Sequence, residues 1–228
     1  MPRRALIERR PWLLCSLALA FLYGWVLLTR TPLAGLYLMA LSGAPFGLLA
    51  AYALLRHKGS DTQGLGLMLG LEGVATGLSS VFPDATMMVM LFGWAAGLTL
   101  FLRHRAATPD LNRRIGAAAL LLGTPAMCYV AASQSDASVP LFYGLLLGAL
   151  AASAWMSTFA QGRVGIGGVL VVFGGVLQIT VPDYLSAQNG QAPIAWLAFY
   201  FGNLVLATGV TGELRLRHAR ALTDWDNF

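Results

Sequence analysis

The chain has 228 residues, of which 57% are hydrophobic and 11% charged, with a mean hydropathy of +0.66. A soluble domain carries about 25% charged residues, so 15 Lys and Arg with 10 Asp and Glu cannot cover a water-facing surface. Several apolar stretches are long enough to cross about 30 Å of hydrocarbon, which excludes a soluble enzyme, a secreted disulfide scaffold and a disordered chain.

In chain order the hydropathy pattern predicts eight spans, at 11–29, 34–56, 63–82, 85–104, 112–132, 139–158, 164–181 and 192–212. The first follows a basic start and carries Ala18-Leu19-Ala20, features of a secretory signal. Its apolar run continues to Leu28, which suits an uncleaved helix better. The second contains Ser42-Gly43-Ala44-Pro45, where proline removes a backbone donor and is expected to kink or break the helix. Pro83-Asp84 separates the third and fourth spans. Pro109-Asp110, Ser138-Val139-Pro140 and Pro193 mark the starts of the fifth, sixth and eighth. The joining loops leave no room for an extramembrane domain, so the expected fold class is all-α, a single polytopic membrane bundle of eight transmembrane helices.

The basic residues fix the orientation. Arg3, Arg4, Arg9, Arg10, Arg56, Lys58, Arg103, Arg105, Arg113, Arg114, Arg163, Arg215, Arg217 and Arg220 fall on one side, and Arg30 alone on the other. The opposite loops hold Asp84, Asp136 and Asp183. This asymmetry predicts an inner-membrane protein with both termini cytoplasmic, a basic N-terminus at 1–10 and a C-terminal tail at 213–228. The net charge of +5 is therefore a topology signal and does not point to nucleic acid. Cys15 and Cys128 both lie within spans, where a small apolar thiol is the plain reading, and give no disulfide framework or metal spacing.

Chemistry inside the membrane reduces to one ionisable group, Glu72 in the third span. A charged carboxyl at that depth costs about 2.5–3.5 kcal/mol on insertion scales. Glu72 is expected to be protonated, or to face a cavity and accept a hydrogen bond. It is the only candidate catalytic or ligand-binding carboxyl, but with no obvious charged partner inside the membrane a neutral Glu hydrogen-bonded to a neighbouring helix is the favoured reading. His57, His104 and His218 lie at cytoplasmic span ends, which argues against haem or chlorin ligation. Lys58 stands at the membrane edge, out of reach of a retinal in the core. One carboxylate makes no proton relay, and no cofactor or metal is expected.

Small residues recur at helix-packing spacing. Gly66/Gly70, Gly73/Gly77, Gly93/Gly97 and Gly144/Gly148 are four apart, and Gly167/Gly174 and Gly168/Gly175 seven apart. Such faces let helices approach closely, within one chain or against another membrane subunit. Trp12, Phe82, Tyr143, Trp155, Tyr184 and Trp196 fall near span ends and predict an interfacial aromatic belt. Trp94 and Phe199-Tyr200-Phe201 lie deeper, and Gln178, Asn203 and Thr124 add scattered polarity. Trp94, Tyr200, Asn203 and Gln178 are the candidate lipid- or ligand-binding residues, with membrane lipids the expected partners.

Several stretches carry a resemblance. Pro2-Arg-Arg-Ala-Leu-Ile-Glu-Arg-Arg-Pro-Trp12, the segment Leu146–Val172 with Ala151-Ala-Ser-Ala-Trp-Met-Ser157 and Arg163-Val-Gly-Ile-Gly-Gly-Val-Leu170, and Phe199-Tyr-Phe-Gly-Asn-Leu-Val-Leu-Ala-Thr-Gly-Val210 are similar to the YhhN-type lysoplasmalogenases. That resemblance implies an eight-span bacterial membrane fold and hydrolysis of a lysoplasmalogen vinyl ether, which needs two opposed acid/base groups. The family's polar motifs are altered. Its third-span Gly-Asp is Glu72-Gly73, a displacement of one residue or about 100° of helix. Its fourth-span histidine falls near Trp94, its seventh-span Ser-Asp on Gly174-Gly175, and its closing Tyr-x-x-Gln on Tyr200-Phe-Gly-Asn203. The resemblance thus implies the fold with the hydrolase chemistry lost, leaving a lipid-binding or accessory membrane protein. Two alternatives are a subunit of a larger respiratory or photosynthetic complex, with the tail Asp224-Trp225-Asp226-Asn227-Phe228 as a docking element, and an active hydrolase using Glu72.

Overall fold

The computed structural model describes residues 2–29, 31–131, 138–180 and 193–225. Arg30, Asp136, Asp183, Tyr184 and Asp226-Asn227-Phe228 lie outside the described residues, as do the side chains of Arg3, Arg4, Arg9, Arg10, Asp84, Asp224 and Trp225. Eight α-helices run in chain order: α1 Pro2–Thr29, α2 Gly35–Arg56, α3 Ser60–Leu78, α4 Pro83–Arg103, α5 Leu111–Ala131, α6 Ser138–Trp155, α7 Ile166–Thr180 and α8 Pro193–Trp225. A π-helical turn, Gln161–Gly165, leads into α7.

Among the described residues six segments are long and apolar enough to cross a membrane: Pro11–Thr29, Gly35–Arg56, Ala85–Arg103, Leu111–Ala131, Gln161–Ile179 and Pro193–Arg220. Val139–Trp155 is apolar but shorter. Helix α3 is not among them, because Asp61, Gln63, Glu72 and five glycines lower its hydropathy. Exposed Phe21, Trp25, Phe92 and Leu122 face outward from the bundle. An apolar exterior of this kind suits lipid as solvent.

Helix α8 is the most enclosed span, with 61% of its apolar window buried, and α5 the least, with 22%. Helices α1, α2, α3, α4, α6 and α7 follow one another around the bundle, and α8 closes it between α7 and α1 while touching α2 and α3. Helix α5 sits outside, against α6 and α7. An aromatic core lies along α8. Trp196 stacks on Tyr200 at 5.5 Å, Tyr23 meets Trp196 edge-on at 4.7 Å, and Phe46 touches Trp196, Phe199 and Tyr200.

Four details differ from the sequence reading. Helix α2 is not broken at Pro45. Neighbouring hydroxyls tie the backbone there to other helices: Ser16 Oγ donates to the Pro45 carbonyl at 2.6 Å, and Ser42 Oγ to the Thr76 carbonyl at 3.0 Å. Helix α3 ends at Leu78, four residues early, because a turn over Ser79–Val81 leads into Pro83. Tyr143 and Trp196 do not join an interfacial belt; both are buried, in ring contact with Trp94 and with Tyr23 respectively. Helix α8 also continues past residue 212 to Trp225, 33 residues in all, or about 50 Å.

Backbones approach closely at two seams. A side chain at Gly73 would press on the Gly43 carbonyl and the Gly47 nitrogen, 3.0 and 3.2 Å from its Cβ. At the α7–α8 seam a Cβ on Gly174 would stand 2.7 Å from Phe199 Cα, and one on Gly202 2.6 Å from the Val171 nitrogen. Gly174→Ala should therefore lower stability by about 1–3 kcal/mol, the cost of overpacking. Gly70→Ala, whose Cβ meets nothing within 4 Å, should leave stability unchanged or raise it. Thermal unfolding of both variants in detergent checks the contrast.

Candidate functional site

Glu72 is fully buried on α3, and its partner comes from α4. The Trp94 indole Nε1–H donates to Glu72 Oε1 at 2.9 Å, and the other carboxyl oxygen has no partner among the described residues. Antiparallel hairpin geometry explains the meeting. With the turn just after Leu78, residue 72 lies level with about residue 90, and a long helical side chain leans toward its own N-terminus. Trp94, one turn further along, thus reaches back to Glu72. Tyr143 packs edge-on against Trp94 at 4.7 Å and donates to the Gly175 carbonyl at 3.4 Å.

The other candidate residues divide. Tyr200 is fully buried, and its hydroxyl shares a hydrogen bond of 2.6 Å with Ser16. Through Ser16 it joins α8 to α1 and, by way of the Pro45 carbonyl, to α2. Asn203 Nδ2 donates to the Phe199 carbonyl at 3.2 Å, while its Oδ1 has no partner among the described residues. Gln178 lies on α7 with its Nε2 in the same condition. Among the described residues Tyr200, Asn203 and Gln178 make no hydrogen bond to the Glu72–Trp94 pair, so the candidates do not form one hydrogen-bonded site. The signal for Ser16 and Pro45 was present as a hydroxyl and a helix-interior proline, but only the fold places them side by side.

The glycines meet their own chain. Gly66 faces Leu54, Gly77 the Met39 carbonyl, Gly93 the Met68 carbonyl, and Gly97 the side chains of Met68 and Leu150. Gly144 lies on Pro125 and Cys128, Gly148 on the Leu120 carbonyl, Gly167 on Leu206, and Gly168 on Ala151 at ordinary contact distance. Gly175 lies beside Leu147 and the Tyr143 hydroxyl. Gly70 opens outward.

The arrangement limits the chemistry. An indole N–H donates and cannot take up a proton, so Trp94 orients Glu72 without relaying to it. Among the described residues the remaining carboxyls with placed side chains are Asp61, Asp110 and Glu213, all at the basic end. Asp61 is eleven residues, about 16 Å, from Glu72 along α3. Its Oδ2 lies 3.0 Å from His104 Nε2, without the alignment of a hydrogen bond. Among the described residues three grooves stand out: about 510 Å³ between α2 and α3, 390 Å³ among α4, α5 and α6, and 710 Å³ between α2, the π turn and α8. Glu72 lines none of them. No group of three or more His, Cys, Asp or Glu among the described residues could hold a metal ion.

Compared with known proteins, the chain matches no protein-family profile, no curated protein and no solved structure.

Replacing Glu72 tests what the pair does. Glu72→Leu leaves the Trp94 N–H buried and unpaired and should cost about 1–3 kcal/mol. Glu72→Gln keeps an acceptor and should retain most of that stability. Thermal unfolding, with tryptophan emission as a probe of Trp94, distinguishes the two.

Proposed function

We propose that this is an eight-span inner-membrane protein, both termini cytoplasmic, with a YhhN-like framework and no vinyl-ether hydrolase chemistry, acting as a lipid-binding membrane protein. The observation that carries this reading is the Glu72–Trp94 pair. Where the resemblance sets a histidine there is a donor that cannot accept a proton, and the carboxyl beside it is fully buried. Gly174 supports the same reading, because the position matched to the family's seventh-span serine is pressed against the Phe199 backbone. A polar side chain there would force α7 and α8 apart. In this reading the shorter α6 and the less apolar α3, carried across between α2 and α4, complete the eight spans.

One observation favours a second reading, an accessory subunit of a larger membrane assembly. The groove between α2 and α3 is lined by Gly43, Gly47, Gly70, Gly73 and Gly77, and a Cβ at Gly47 or Gly70 would meet nothing within 4 Å. Small residues on an open face suit another helix. Co-purification of stoichiometric membrane chains in mild detergent would favour this reading over the first.

Two measurements test the proposal. In a Cys15→Ala background, Lys58→Cys should react with an impermeant maleimide only after the membrane is opened, and Thr31→Cys should react from outside. Purified protein given a lysoplasmalogen should release no fatty aldehyde above the Glu72→Gln variant; release that Glu72→Gln abolishes would make the protein a hydrolase.

A further inference from the structure

The basic end of the bundle is knit together by its loops. The Ala106 nitrogen donates to the Met156 carbonyl at 3.0 Å, the Thr158 nitrogen to the His104 carbonyl at 2.7 Å, and Arg113 Nη1 to the Ser157 carbonyl at 2.9 Å. Arg217 completes the tie. Its Nη2 donates to the Thr158 carbonyl at 2.8 Å, its Nε to Glu213 Oε1 at 3.2 Å, and its guanidinium lies 5.0 Å from the Phe159 ring centre.

The groove of about 710 Å³ opens beside this tie, within the size range of small-ligand sites. Arg56 from α2, Arg163 from the π turn and Arg215 from α8 line it, with Glu213 as the one acid among the described residues. Glu213 is already engaged by Arg217, which does not line the groove. Arg56 is engaged over the Tyr52 ring at 5.3 Å, so Arg163 and Arg215, exposed on two separate elements, are the guanidinium groups that face a ligand, beside a carboxylate already paired with Arg217. Like charges held together repel, and an arrangement of this kind is stabilised by an anion with several acceptor oxygens. Guanidinium forks match phosphate oxygens in pairs. The remaining wall is small or apolar, Ala160, Gly209, Gly212, Leu216 and Ala219, which leaves room beside the anion for an uncharged body.

We propose that this groove binds a phosphate-bearing ligand, its phosphate held by Arg163 and Arg215 with Arg56 at the rim. The ligand chemistry is a phosphomonoester or phosphodiester, from an anionic lipid headgroup or from a soluble phosphate compound. The assignment of the lipid source rests on the membrane reading above; the phosphate chemistry does not.

Gly212 provides a test that leaves every charge in place. A Cβ there meets nothing within 4 Å, so Gly212→Leu adds bulk from the groove wall. Native mass spectrometry of the detergent-purified protein would count retained phosphatidic acid against phosphatidylcholine, and inorganic phosphate would be added as competitor. The wild type should retain phosphatidic acid selectively. Arg163→Ala and Arg215→Ala should each weaken retention by about tenfold, the loss of one charge-assisted hydrogen bond. Gly212→Leu should weaken it with net charge unchanged, whereas Arg114→Ala, outside the groove, should leave it intact. Competition by millimolar phosphate together with poor lipid retention supports the site and assigns it to a soluble compound. Equal losses in Arg114→Ala and Arg163→Ala, or full retention in Gly212→Leu, would overturn the site in favour of diffuse surface charge. An unchanged melting temperature in each variant separates these outcomes from misfolding, and the maleimide experiment tests the membrane reading independently.

Discussion

Close contact between helix backbones is the constraint on which the rest of this structure depends. In lipid there is no hydrophobic gain in bringing two apolar helices together, so contact area and van der Waals packing must do the work. Gly43 against Gly73, and Gly174 and Gly202 against the opposing backbones at the α7–α8 seam, set how near α2–α3 and α7–α8 can come. That approach brings hydroxyls within reach of carbonyls on neighbouring helices, as with Ser42 and Thr76. It also closes α8 around its aromatic core, and that closure seals Tyr200 and Asn203 from the exterior.

The same closeness limits what the interior can do. A bundle packed on glycine has little room for a substrate, and its one deep carboxyl is held by an indole. Polar groups in the core act in pairs across helices, Ser16 with Tyr200 and Glu72 with Trp94. Apart from Glu72, the charged groups with described side chains lie at the basic end, where loops, a π turn and the outer part of α8 hold several arginines in fixed places.

Helical segments and many of their starts were legible in the sequence because they depend on local chemistry. Pro83 and Pro193 begin α4 and α8 where a missing N–H costs nothing. Charge-free apolar length identified most of the segments that can span a membrane, but α3, diluted by Asp61, Gln63 and Glu72, falls short by composition and owes its place to α2 and α4. Proximity across helices was the part sequence could not supply. Tyr143 and Trp196 lie near span ends, as interfacial residues do, yet the rotation of α6 and α8 turns them inward. Trp94 was visible as a deep aromatic and Glu72 as an isolated carboxyl, but their pairing needed the position of the α3–α4 turn.

Helix α8 has a mechanical consequence. It is one continuous rod of 33 residues with no proline after its first position, longer by about 20 Å than the hydrocarbon it would cross. It is held at two levels: in its first third through Tyr200 and Gly202, and further out through Gly209 against Val164 and Arg217 on Thr158. With two points of attachment on one stiff rod, a shift at the outer tie is carried along the helix to the aromatic core.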